Sequence, residues 1–330
     1  MKIAIISKAD SSGGGASRVA GELCMLLQTR GHTADHFVSL RSPNAANVRS
    51  VFGSFYVGRI ARRLNHYIKK VGLPALIPWE LPFLLAQRVT EYDLIHFHDI
   101  SGAISPFTIH FLAERRPTCW TFHDCSPFTG GCLYPLSCER FKQKCGSCPQ
   151  LGNWPIDTGV DFTGFLQNIK RNTARARWLV PVTPSLWMAK LAQQSGLYSQ
   201  LPAVIPNGVD TNTFAPTNRL SVRRQLGLPV DRLIVLLVSA YIGEPRKGVH
   251  FACAALEKIK SMRPHLLVAG NLNVEARRAL SQFESTETGY LDDVQQKSAY
   301  FSAADIYLFT SLADNLPLTI LETMALSLIH

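Results

Sequence analysis

The segment "YIGEPRKGVH" sets Arg246 and Lys247 beside Gly248 on a turn between a predicted strand and a predicted helix. Two cations and the free amides of a helix start suit a diphosphate, because fixed positive charge stabilises negative charge as it develops on a departing group. A solvated basic turn is the alternative. A second segment, "SLADNLPLTILE", carries Asp314 in a loop and Glu322 in the helix that follows. A loop acid and helix-start amides can hold one part of a ligand while Glu322 reaches another, such as a ribose diol. A helix-start acid and a surface glutamate would give the same pattern. In "TFHDCSPFTGG", His123 and Asp124 directly follow an apolar run, where an imidazole can serve either a ligand or the core. Gly13, Gly14 and Gly15 follow a strand and open a helix, so free N–H groups and the helix dipole favour an anion there. A flexible turn is the competing reading. Arg18 stands where a dinucleotide fingerprint needs its third glycine, which disfavours nicotinamide chemistry.

Six of the eight cysteines fall between Cys119 and Cys148. Within that run Cys132, Cys138, Cys145 and Cys148 end in a Cys-x2-Cys pair, a spacing that fits structural zinc in an insert too small for its own core. Reduced thiols or disulfides remain open. Four thiolates would leave no position for catalysis, so any such zinc is structural.

The elements that must carry these residues follow from periodicity. Ile3 to Ile6 form a short apolar run, and Val19, Leu23, Leu26 and Leu27 then line one face of a helix that Gly31 ends. Further apolar runs recur in "YDLIHFHD", "PTCWTFHD", "WLVPVTPS" and "LPAVIPNG", spaced for crossover helices. This alternation predicts an α/β fold with a mostly parallel sheet. The stretch "VIPNGVDTNTFAPTN" is dense in turn residues, and a second alternation begins after it: "RLIVLLVSA", a helix over about 249–259, "HLLVAGN", a helix containing 296–301, "DIYLFTS" and a helix over about 318–326. Two domains are expected, 1–206 with a cysteine-rich insert near 125–150, and 207–330. Ligands of open α/β sheets bind at the carboxyl ends of the strands, where all four candidate segments fall.

The net charge of +10 is uneven, with 22 Lys and Arg against 13 Asp and Glu in residues 1–215, and 12 against 11 thereafter. A basic half suggests an anionic partner. The segment "VGRIARRLNHYIKKVG" contains no acid, and Val57, Ile60, Leu64, Ile68 and Val71 follow a helical period. Such a helix could lie on an anionic bilayer with Arg59, Arg62, Arg63, Lys69 and Lys70 at the headgroups, or pack against the domain with a solvated basic face. No run reaches the length of a membrane-spanning helix and the N-terminus lacks a secretory pattern, so a cytoplasmic protein is expected, with the inner face of the membrane as the surface such a basic helix could meet.

In order along nearly the whole chain, the glycine loop, "HD", "VTPS", "VIPNGVD", "RKG" and an acid eight positions before a helical Glu resemble glycosyltransferase family 4, the group 1 retaining enzymes of the GT-B fold. The span from "FTGGC" to "CPQL" is similar to bacterial members that build surface polysaccharides and lipid-linked oligosaccharides. The resemblance implies two Rossmann-like domains and transfer from a nucleotide diphosphate sugar to a polysaccharide or lipid-linked acceptor. It puts Arg246 and Lys247 on the donor diphosphate and Glu322 on the ribose. It sets Asp314, Asn315 and the amides near Pro317 and Leu318 against the transferred sugar. His123 would meet that sugar from the first domain, with Gly14 and Gly15 beside the phosphates. Retention is expected through same-face attack, the departing phosphate accepting the acceptor's proton, with no catalytic metal. Asp314 replaces the family's more usual Glu, and "LSLIH" follows "LETMA" where the family continues into another strand. The second domain is therefore expected to be incomplete and activity impaired. The rival reading is a zinc-containing basic protein that binds nucleic acid.

Overall fold

The computed structural model describes residues 1–43, 45 and 47–328. The chain divides into two compact units, Met1–Pro206 and Asn207–His330.

In the first unit the order is β1 (Lys2–Ala9), α1 (Gly15–Thr29), β2 (Thr33–Leu40), β3 (Val48–Ser50), α2 (Phe55–Lys70), α3 (Leu81–Ala86), β4 (Leu94–Phe97), α4 (Pro106–Ala113), β5 (Thr118–Thr121), α5 (Thr163–Ala174), β6 (Leu179–Thr183), α6 (Leu186–Gln194) and β7 (Ala203–Val204). The seven strands run β3-β2-β1-β4-β5-β6-β7, and each neighbouring pair is parallel. Ile3 to Ile6 are buried because β1 is central, paired on one side with β2 and on the other with β4. The chain leaves β1 toward opposite edges there, which opens a crevice beyond the carboxyl ends of β1 and β4. Helix α1 covers one face, with Ala20 and Cys24 packed on Ile3, Ile5 and Ala34.

The second unit contains α7 (Arg219–Gln225), β8 (Ile234–Tyr241), α8 (Val249–Lys258), β9 (His265–Asn271), α9 (Val274–Leu280), β10 (Ser285–Gly289), α10 (Val294–Ser302), β11 (Ile306–Tyr307) and α11 (Leu318–Ala325). Its sheet is parallel in the order β10-β9-β8-β11. Successive residues of a strand face opposite sides, and β8 obeys this. Ile234 and Leu236 join Phe301 and Tyr307 on one face, while Val235 and Leu237 join Ala252 and Leu256 on the other. A strand covered on both faces reads as continuously apolar, which accounts for "LIVLLV". The α/β class with two parallel sheets is as the sequence predicted.

The cysteine-rich segment is organised by α5. Buried Gln167 accepts from the Cys145 N–H and donates to the carbonyls of Phe128 and Phe141. Lys170 donates to the carbonyls of Ser126 and Thr129 at 2.8 and 2.9 Å. Asp161 accepts from the Cys148 N–H. An insert with little apolar content is thus held by side chains that satisfy its backbone.

Candidate functional site

Two loops at the carboxyl ends of neighbouring strands build the site of the second unit. After β8, the Pro245–Lys247 turn presents Arg246 and Lys247. After β11, residues 308–317 lead to α11, which starts at Leu318 with Pro317 at its cap position. The loops are laced together. Lys247 Nζ lies 2.6 Å from Asp314 Oδ2, and Arg246 Nη1 lies 3.4 Å from the same oxygen. Arg246 also donates to the Ala313 carbonyl and, through both remaining nitrogens, to Glu244. Thr310 donates to the Lys247 carbonyl, and the Leu312 N–H to that of Arg246. Gly248 permits this closeness: its φ is +67°, and a Cβ there would stand 2.3 Å from the Thr310 carbonyl oxygen.

The Tyr307 hydroxyl shares a 3.0 Å hydrogen bond with Thr319 and feels the charges of Asp314 and Glu322. Burial first, and then these two carboxylates, push the Tyr307 phenol far above its ordinary range, so it stays a neutral hydrogen-bonding group. Glu322 is 1% exposed and pairs with Lys297 of α10 at 2.6 and 2.9 Å. The sequence reading gave Glu322 to a ligand and overlooked Lys297; a charge this buried needs a partner, and that requirement was the available signal. Asn315, Pro317 and Leu318 are half-buried at the start of α11, and Asn207 donates to the Leu316 carbonyl. Arg246, Lys247, Asp314 and Glu322 therefore occupy one end of one sheet.

In the first unit, His123 follows β5 and shares a 3.0 Å hydrogen bond with His98, which follows β4. His96 bonds Thr121, and His36 bonds Ser7. Burial holds His36 and His96 down to about 4 and His123 to about 3, and carries His98 well below the usual range, so all four imidazoles are neutral at physiological pH. Asp99 and Asp124 sit beside this cluster near Lys8. Burial, reinforced by Asp124, raises Asp99 to about 6. The sequence reading took His123 as a single residue and missed His36, His96, His98 and Asp99; "HFHD" and "TFHD" end adjacent strands, and that pairing was the signal.

Gly14 has φ +101° and opens α1, and a Cβ on it would meet no atom within 4 Å. Asp10 shapes this loop by accepting from the Ser12 N–H, the Ser12 hydroxyl and the Ser42 N–H. Gly14 and Gly15 thus bound an open helix start.

Cys132, Cys138, Cys145 and Cys148 line one cavity with Gly130, Phe141 and Ile156. All are unbridged. Burial raises the Cys132, Cys145 and Cys148 thiols above their ordinary range, which keeps them protonated. Among the described residues no three His, Cys, Asp or Glu side chains gather as a metal-ligand set. The four thiols of the expected zinc set thus share one cavity, and side chains of α5 hold the backbone around it.

Two parallel-sheet Rossmann-like units, one carrying a cation loop beside a loop acid, define a protein of the GT-B class. The Glycosyltransferase Family 4 profile matches residues 13–213, and that of the Glycosyl transferases group 1 matches 232–329. The first match spans more than half of the chain, which belongs to Glycosyltransferase Family 4. A putative teichuronic acid biosynthesis glycosyltransferase, TuaC, of Bacillus subtilis (strain 168) is 25% identical over 165 residues, 49% of this chain and 40% of that protein. The chain spans about half the length of the curated relatives it matches. Among solved structures, sucrose-phosphate synthase from Thermosynechococcus elongatus superposes with a TM-score of 0.68 at 18% identity, over 99% of this chain and 80% of that one. Anabaena Alr3699/HepE in complex with UDP-glucose gives 0.63 at 20% identity, over 99% and 79%. No helix among the described residues is long and apolar enough to cross a membrane.

Proposed function

We propose that this chain carries the donor-binding and acceptor-side units of a retaining glycosyltransferase, moving a hexose from a nucleotide diphosphate sugar to a polysaccharide or lipid-linked acceptor. One observation carries the reading: Arg246 and Lys247 are fixed together at the end of the second sheet, beside the start of α11. In the reaction they would hold the diphosphate and stabilise its charge as the sugar bond breaks. Asp314, Asn315 and the amides at Pro317 and Leu318 would face the sugar, His123 would meet it from the first unit, and Gly14 and Gly15 would lie beside the phosphates. Retention would follow from same-face attack, with the leaving phosphate taking the acceptor's proton. Glu322 would reach the ribose only by loosening its pair with Lys297; otherwise it holds the wall of the site. The UDP and UDP-glucose complexes of a structure sharing the fold support a nucleotide-sugar donor.

Calorimetric titration with a panel of nucleoside diphosphate sugars, beginning with UDP-glucose, tests this. One donor is expected to bind, and Lys247→Met to weaken it about 10- to 100-fold, the worth of one charge-assisted hydrogen bond. Failure of every donor, or unchanged affinity in a folded Lys247→Met protein, would sink the proposal.

A further inference from the structure

Helix α2 packs against its unit through one side only. Gly58, Ala61 and Asn65 are buried, Arg62 donates to the Ser39 carbonyl, and Lys69 pairs with Asp157. The apolar residues instead point outward: Tyr56 is 75% exposed, Ile60 61%, Leu64 41%, Tyr67 66% and Val71 52%. At about 100° per residue these five fall within an arc of roughly 80°, opposite the packed side. Arg59, Arg63 and Lys70 are also exposed, and together they border one flank of that strip. No acid occurs between Phe55 and Lys70. Beyond the helix end, the Phe162 ring lies beside Gly72, and exposed Val160, Phe162 and Phe165 continue the apolar surface. Val57 and Ile68, the other two members of the expected apolar stripe, are half-buried.

We infer that α2 docks the protein on an anionic lipid surface. A strip of aliphatic and tyrosine side chains with cations along its border matches the bilayer interface, where apolar side chains enter the acyl boundary and long basic side chains reach the phosphates. A nucleic-acid groove would place cations centrally among stacking rings, whereas here the cations keep to one border and Ile60, Val71 and Leu64 extend away from them. The inference deepens the acceptor class proposed above: a lipid-linked saccharide is met at such a surface. Vesicle binding itself requires no sugar transfer, so it and donor titration fail independently.

The test is co-sedimentation of the full chain with phosphatidylcholine vesicles, with and without about one-third phosphatidylglycerol. Binding is expected to the anionic vesicles, to fall steeply with salt, and to be nearly absent on neutral ones. Replacing Arg59, Arg63 and Lys70 together by Gln should weaken binding about 100-fold, near five-fold for each charge. The triple change Ile60→Ser, Leu64→Ser, Tyr67→Ser should abolish it. These positions are exposed, so an unchanged melting temperature verifies the fold. Equal binding to neutral vesicles, undiminished binding by the variants, competition by an oligonucleotide at equal affinity, or a stable dimer that buries α2 and ignores vesicles would each overturn the inference.

Discussion

Glu322 and Lys297 show how a buried charge pair constrains a site. With Glu322 1% exposed, removal of the cation leaves a carboxylate without its charge partner in a poorly solvating environment. Breaking such a pair from one side typically costs about 3–5 kcal/mol. Lys297→Met is therefore expected to destabilise the second unit by that amount in urea unfolding. Adding Glu322→Gln, which leaves an amide and no charge, should recover part of the loss. If Lys297→Met were neutral, the pair would not be structural, and Glu322 would be available to a ligand at little cost. At this scale the cation loop was legible because Arg246-Lys247-Gly248 follows a strong strand signal. Lys297 was not, since one lysine on a mostly polar helix carries no mark of where its tip will reach.

At the scale of elements, legibility followed apolar periodicity. Helix α1, β8 and β9 announce themselves through regular hydrophobic spacing, and "HLLVAGN" coincides with β9 residue for residue. Strand β10 reads "STETG", with no apolar alternation, and only pairing with β9 makes it a strand. Strand β11 spans two residues although "DIYLFTS" suggested more, because the chain turns aside toward Arg246 once it reaches the loop. The cysteine segment shows the same limit: Cys spacing is visible along the sequence, whereas the reach of Gln167 and Lys170 across more than 20 residues is not. Helix α5 anchors this segment, and Lys170→Met should cost about 2–4 kcal/mol, since two carbonyls lose their donor. Thermal unfolding of the Lys170→Met protein measures that loss, and an unchanged midpoint would mean that α5 does not anchor the segment.

For the molecule as a whole, acid sensitivity is built into the first unit. His36 and His96 are held to about 4 and His123 to about 3, while an unfolded chain takes up these protons near 6.5. Between those values the unfolded state binds more protons, so stability rises with pH and falls on acidification from about 6.5 toward 4. Asp99, raised to about 6, acts oppositely below that pH, as do the raised Asp124 and Glu80. A difference between proteins isolates one imidazole: His36→Asn should flatten the dependence between pH 4.5 and 6 by about 1.4 kcal/mol per pH unit. Equal slopes would mean that His36 is solvated in the native state. The charge surplus of residues 1–215 and the outward strip of α2 belong to this scale too; both are visible in composition, but only the fold reveals which side of the helix faces out.

The lacing of Asp314 to both Arg246 and Lys247 means that the cation loop already hosts an anion of its own. On the proposed reading, an arriving phosphate would have to displace this tenant instead of settling on bare charge. Much of the electrostatic gain becomes an exchange of one negative group for another, so recognition leans on shape and hydrogen-bond fit more than on attraction at a distance. Simple inorganic anions, which have charge without fit, would then compete poorly at this loop.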